Sequence, residues 1–217
     1  VVIRLMDGRL AWSKIVGGIL MFLAIVLGIL ISSLPVIDHY KQNIIASNLI
    51  KDQVAVESMK ANVAWSGFEW LIGMGLIIGT AAMLVLIHKK KIQAGLIGTF
   101  LVSLLTANIA ITLIVPRIEQ YSQGAAIRFY ESLKGRDCYV ATLRFKSYAQ
   151  FFYQGKEPPE NKESYDLDWL LTGAIDKPAY FVCKIDKIGE VSNQYPQLKQ
   201  LYGENGFVFL VRYPSGH

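Results

Sequence analysis

The chain has 217 residues, of which 53% are hydrophobic, with a mean hydropathy of +0.34 and a formal net charge of +5. That is too apolar for a water-soluble domain throughout, yet about the last hundred residues have a globular mixture, so the chain divides into an apolar part and a soluble part. Much of the positive charge sits in Arg4, Arg9, Lys14 and the run His88-Lys89-Lys90-Lys91, which leaves no basic footprint for nucleic acid.

The opening Val1 to Leu10 begins without Met and resembles neither a signal peptide nor a helix start, which predicts a piece of a longer protein. Residues 15–34 carry no charge, follow a basic flank and close at Pro35. About 20 apolar residues cover the ~30 Å hydrocarbon core, so this reads as a first membrane span with its start in the cytoplasm. In 36–64, Ile45, Leu49, Val56, Met59 and Val63 recur at helical spacing. The stripe fits an amphipathic helix on the outer membrane surface or a helix packed on the soluble domain.

A second span covers about 68–87, with Trp65 and Trp70 at its interfacial end and a GxxxG spacing at Gly75 and Gly79. A third covers 92–115, with Gly95, Thr99, Ser103 and Thr106 forming a small-residue face. Lys and Arg in short loops stay on the cytoplasmic side, so the basic knot puts the hairpin turn inside and everything after Pro116 outside. Both small-residue faces predict a larger bundle than three helices supply. Glu69 reads as a cation-binding or basic carboxylate, or as a charge that simply reaches water, while Gln93 and Asn108 read as interhelical hydrogen-bond partners. No charge lies at mid-depth, which disfavours an ion pathway.

The predicted fold class is therefore membrane α-helical with three transmembrane helices in 1–116, followed by a small extracytoplasmic α/β domain in 117–217 of two or three layers. In the tail, Tyr121, Ala125, Phe129 and Leu133 mark one helix face that Gly135 ends. Strands are expected at 139–145, 179–185 and 207–213, with helices at 168–175 and 191–202. The last two strands are apolar on both faces, and a helix between them predicts a right-handed parallel crossover. The aromatic patch Tyr148, Phe151, Phe152, Tyr153 precedes a polar loop with Pro158-Pro159, expected to be exposed.

Asp166-Leu167-Asp168 has the DxD form by which sugar transferases hold a metal, but it also immediately precedes Trp169-Leu170-Leu171, where an aspartate caps a helix. Cys138 and Cys183 lie in the part placed outside, where a bridge is permitted, and each also fits a buried free thiol. No Ser-His-Asp set, CxxC pair, HExxH or glycine-rich phosphate loop occurs, so nucleophilic and zinc catalysis have no candidate.

The passage Pro116-Arg117-Ile118-Glu119-Gln120-Tyr121-Ser122, then Cys138-Tyr139-Val140 and Phe145 to Tyr153, resembles the end of bacterial membrane glycosyltransferases, as does Ile175 to Val182. The family is the protein O-mannosyltransferase and aminoarabinose transferase group of the C-type superfamily. The resemblance implies an integral enzyme of the bacterial inner membrane, with a periplasmic C-terminal domain, that moves a sugar from a polyprenyl-phosphate donor to a lipid or protein acceptor outside. It also implies that the catalytic acids, and a divalent metal if one is used, reside in an earlier outer loop. No cofactor is evident here and no catalytic residue is carried over. His39, Lys41, Lys51, Lys60 and Arg117 are outward-side cations suited to a lipid phosphate or to anionic head groups. The rival expectation is a noncatalytic membrane-anchored sensor or assembly protein that binds a partner through Tyr148 to Tyr153.

Overall fold

The computed structural model describes residues 12–155 and 161–214. Arg4, Arg9, Pro158-Pro159 and His217 lie outside the described residues. The chain forms two compact units: Val63–Ile118 with the described part of Val1–Gln42, and Asn43–Asn62 with the described part of Glu119–His217.

The first unit holds α1 (Lys14–His39), α4 (Trp70–His88) and α5 (Ile92–Leu113), three helices long and apolar enough to cross a membrane. Their ends fall close to the expected spans, except that α1 runs through Pro35 for another turn. The missing N–H of Pro35 removes one helical bond without stopping the helix, which breaks instead at Tyr40. Helix α4 packs on both α1 and α5. A Cβ on Gly73 would lie 2.1 Å from the Gly28 carbonyl oxygen, and one on Gly79 2.8 Å from Val102, so glycines set both approaches. The expected partner Gly75 faces open space, because close packing selects Gly73 on another side of the same helix. Large side chains such as Phe22, Ile29, Phe100, Leu105 and Ile111 stand exposed.

The second unit gathers two stretches of chain. The expected single helix over 36–64 is instead two short helices, α2 (Lys41–Ala46) and α3 (Gln53–Met59), broken where Asn48 takes a left-handed φ of 53°. Asp52 restarts the chain by accepting from Val54 N (2.8 Å) and Ala55 N (3.2 Å). Helix α3 packs beside Ile185–Lys187, and Ser58 Oγ donates to Asn205 O at 3.4 Å. The packing of α3 on the α/β domain realises one of the two expected roles for the part of the stripe at Val56 and Met59, while Leu49 is exposed and Val63 lies in the first unit.

Beyond α6 (Val115–Ser122), in which the boundary between the units falls, come α7 (Gly124–Ser132), β1 (Tyr139–Leu143), α8 (Ala149–Gln154) and α9 (Leu167–Thr172). They are followed by β2 (Ala179–Lys184), α10 (Ile188–Gln194), β3 (Lys199–Glu204) and β4 (Phe207–Arg212). The four-stranded sheet has the order β1-β2-β4-β3, with β1 parallel to β2 and both other pairs antiparallel. The parallel crossover expected between the last two predicted strands is thus overturned. Tyr195 precedes Pro196 and leaves the helical region at φ −130°, ψ 70°, so the helix ends at Gln194 and 199–204 becomes a strand. Asn205 (φ 47°) and Gly206 (φ 84°) then form a two-residue hairpin turn that sends β4 back along β3.

Alternation places helices on both faces, giving three layers. Tyr139, Phe181, Cys183, Val208 and Leu210 pack against Leu170 and Leu171 of α9 and Val191 of α10. Cys138, Val182, Phe207 and Phe209 pack against Ala125, Ala126, Phe129 and Leu133 on the other face, where the Phe129 and Phe209 rings stack at 4.3 Å. Each fully buried phenylalanine contributes roughly 1.5–3 kcal/mol. Both cysteines are free and lie in these opposite cores, so no bridge joins them.

Candidate functional site

Two places in the structure concentrate chemistry, one in each unit. In the first, Glu69 precedes α4 and is only 3% exposed. Its Oε1 accepts from Ser66 N (2.8 Å) and Ser66 Oγ (2.7 Å), and its Oε2 from Gly67 N (2.9 Å). Arg117 Nη2 stands 3.1 Å from Oε1, while Arg117 Nε donates to Ala64 O at 3.0 Å and the guanidinium lies 5.6 Å from the Trp65 ring centre. Three donors and a cation satisfy this carboxylate, which makes it a clamp fixing the 64–69 turn to Arg117 at the start of α6.

The five cations expected at a lipid phosphate are placed separately. His39 is exposed at the end of α1, edge-on to Tyr40 at 4.9 Å, and lines a cavity of about 690 Å³ together with Trp65 and Trp70. Lys41 pairs with Asp38 at 2.7 Å, and Arg117 with Glu69 as above. In the second unit, Lys60 pairs with Glu57 at 2.6 Å, and Lys51 is exposed just before the Asp52 cap. Within the first unit, Trp65 brings His39 and Arg117 into one neighbourhood, since it lines the cavity of the first and stacks under the second.

The second place is a cavity of about 600 Å³ beside β1, whose outer edge carries no neighbouring strand among the described residues. The exposed rings of Tyr148, Phe151 and Tyr165 line it, together with Thr142 and Ser164, and among the described residues none that lines it is charged. Gln150 also lines it, is 5% exposed, and has an Oε1 without any hydrogen-bond partner. An unsatisfied buried acceptor costs about 1–3 kcal/mol, which a donor from a ligand recovers. Deeper in, Tyr139 Oη donates to Asp176 at 2.8 Å, and burial followed by that carboxylate pushes its phenol above the usual range. The sequence marks Tyr148 to Tyr153 only as an aromatic patch, and nothing in it shows that Ala149–Gln154 would form a helix or that Gln150 would be left unpartnered.

Other sequence candidates take structural roles. Asp166 Oδ1 accepts from Asp168 N at 3.0 Å and caps α9. Among the described residues no group of three or more His, Cys, Asp or Glu side chains is arranged to hold a metal. Burial pushes the Cys183 thiol up to about 11, the opposite of what a reactive cysteine needs. Neither a protein family, nor a curated protein, nor a solved structure matches this chain.

Proposed function

We propose that the chain is the C-terminal part of an integral-membrane glycosyltransferase that takes its sugar from a polyprenyl-phosphate carrier outside the cytoplasmic membrane. The observation that carries this reading is the way the α/β unit is assembled. Its two pieces, 43–62 and 119–217, flank α4 and α5 in sequence. Two crossings return the chain to the side it left, so a membrane hairpin keeps both pieces on one side, and Lys89, Lys90 and Lys91 at its turn favour the opposite, cytoplasmic side. The exposed apolar faces of α1 and α5 suit lipid or further helices of a larger bundle.

In this reading the catalytic base belongs to an earlier outer loop. In the first unit exposed His39 is available to the lipid phosphate, and Arg117 shapes the 64–69 turn through its pair with Glu69; Lys51 of the second unit is exposed and available to a phosphate by itself. The test uses membranes containing the complete reading frame and a radiolabelled polyprenyl-phosphate sugar. Transfer to an outer-side acceptor is expected, with turnover falling when all five cations become alanine. Absence of further spans upstream of Val1, together with no transfer, refutes the enzyme; unchanged turnover in the fivefold variant refutes the phosphate role. Sidedness is checked with Lys90→Cys and Phe152→Cys, of which only the second is expected to label from outside. The cavity beside β1 favours one rival, a noncatalytic anchored protein that binds a partner there, and this rival predicts ligand binding without any transfer.

A further inference from the structure

We infer that the cavity between β1, α8 and α9 is a binding site for a neutral saccharide. This goes beyond sugar transfer, because it assigns recognition of a sugar ring to the α/β unit itself. Four observations converge on that ligand class. The volume of about 600 Å³ lies within the range of small-ligand pockets. Among the described residues the lining carries no charged side chain, which disfavours phosphates, carboxylates and amines, for each would enter without a counter-charge from them.

Three aromatic rings, Tyr148, Phe151 and Tyr165, stand exposed around the cavity, with Tyr148 79% exposed. A pyranose presents a flat patch of C–H groups that packs on such rings, while its rim of hydroxyls needs uncharged donors and acceptors. The carboxamide of Gln150 offers both a donor and an acceptor, and the hydroxyl oxygens of Thr142 and Ser164, whose protons go to Phe145 O and Asn161 O, add acceptors. The unpartnered Oε1 of Gln150 is the most specific of the four, since a sugar O–H completes it. The open edge of β1 also suits an extended peptide, but a peptide ladder makes no use of a buried carboxamide.

The experiment uses the full chain in micelles of a sugar-free detergent, titrated with cellobiose, N,N′-diacetylchitobiose and methyl α-mannoside and read by saturation-transfer NMR. At least one of the three is expected to bind with a Kd on the order of 0.1–1 mM. Gln150→Leu and, separately, Tyr148→Ala should each weaken it about tenfold, as the loss of one polar or stacking contact does. Persistent protection of the Cys138 and Cys183 thiols certifies that each variant is folded. Tyr148 is exposed, so its variant keeps the test decisive even where Gln150→Leu loosens α8. Saturation of none of the three sugars, equal binding by all variants, or capture of an extended peptide in place of the sugars overturns the assignment. Binding is read without turnover, so such a failure leaves the transferase proposal standing, and sugar binding by the chain together with no transfer by membranes containing the complete reading frame refutes only the latter.

Discussion

Arg212 at the end of β4 is only 9% exposed, and its guanidinium donates to the Leu170 carbonyl at 2.9 Å and the Gly173 carbonyl at 2.6 Å. The Leu170 carbonyl lies at the C-terminal end of α9, where no helical N–H remains to satisfy it, while the Gly173 carbonyl also accepts from Ile175 N at 3.1 Å. Arg212→Met keeps the apolar stem and removes both bonds. Hydrogen bonds from a charged donor are worth about 1.5–3 kcal/mol each, and part of that is returned because the charge no longer needs desolvating, so the loss is about 3 kcal/mol. With a urea slope of about 1.5 kcal/mol per molar for a unit of this size, the unfolding midpoint should fall by about 2 M. The two cysteines give a selective assay, because both are buried in the α/β unit and the sequence has no others. Alkylation of the full chain in micelles against urea therefore reports that unit alone. Arg212→Lys, which reaches one carbonyl, should lose about half as much. A shift below about 0.5 M for the methionine variant would refute the view that Arg212 closes α9.

Three further outcomes follow from the same packing. The Cys183 thiol is held up to about 11 against an ordinary 9.0, so the folded state keeps a proton that the unfolded state gives up between those values. Stability should thus fall as pH rises from 9 to 11, by at most about 1.4 kcal/mol per unit, and Cys183→Ala should flatten that limb of the urea midpoint against pH. Glu69→Ala takes the buried carboxylate away from Arg117 and from three donors of a turn whose Ser66 and Gly67 are exposed, which should cost about 1–3 kcal/mol in dodecyl sulfate unfolding followed by tryptophan fluorescence, and a neutral result excludes the clamp. Gly73→Leu must push α1 and α4 apart and lower the helix-bundle midpoint, whereas Gly75→Leu, facing open space, should leave it unchanged; equal effects would contradict the packing.

The three apolar helices were legible because a run of about twenty uncharged residues has few other uses. Their contacts were not, since GxxxG spacing marks Gly75 and Gly79 while the observed approach uses Gly73 against Gly28, a choice made by helix rotation. Strands β2 and β4 could be read from continuous apolarity, and they are the two central strands. The sheet order was missed through a local signal passed over: Asn205-Gly206 announces a hairpin, and Pro196 forbids the helix that a crossover needed. In the candidate site, Asp166 was readable as a cap, whereas the pairing of Lys41, Lys60 and Arg117 with carboxylates changes what those cations offer a phosphate. The cavity beside β1 draws on three separated stretches, 138–142, 148–154 and 164–170, and only tertiary folding brings these together.

The two-piece construction of the α/β unit also sets a timetable. Residues 43–62 leave the ribosome before α4 and α5 exist, yet Ser58 bonds to the turn that precedes β4, the last strand to be made. Until then the early piece has no partner and its apolar side stays uncovered. Completion of the unit is therefore coupled to passage of the helical hairpin, and a stall at α4 or α5 leaves behind a half-built domain open to quality control.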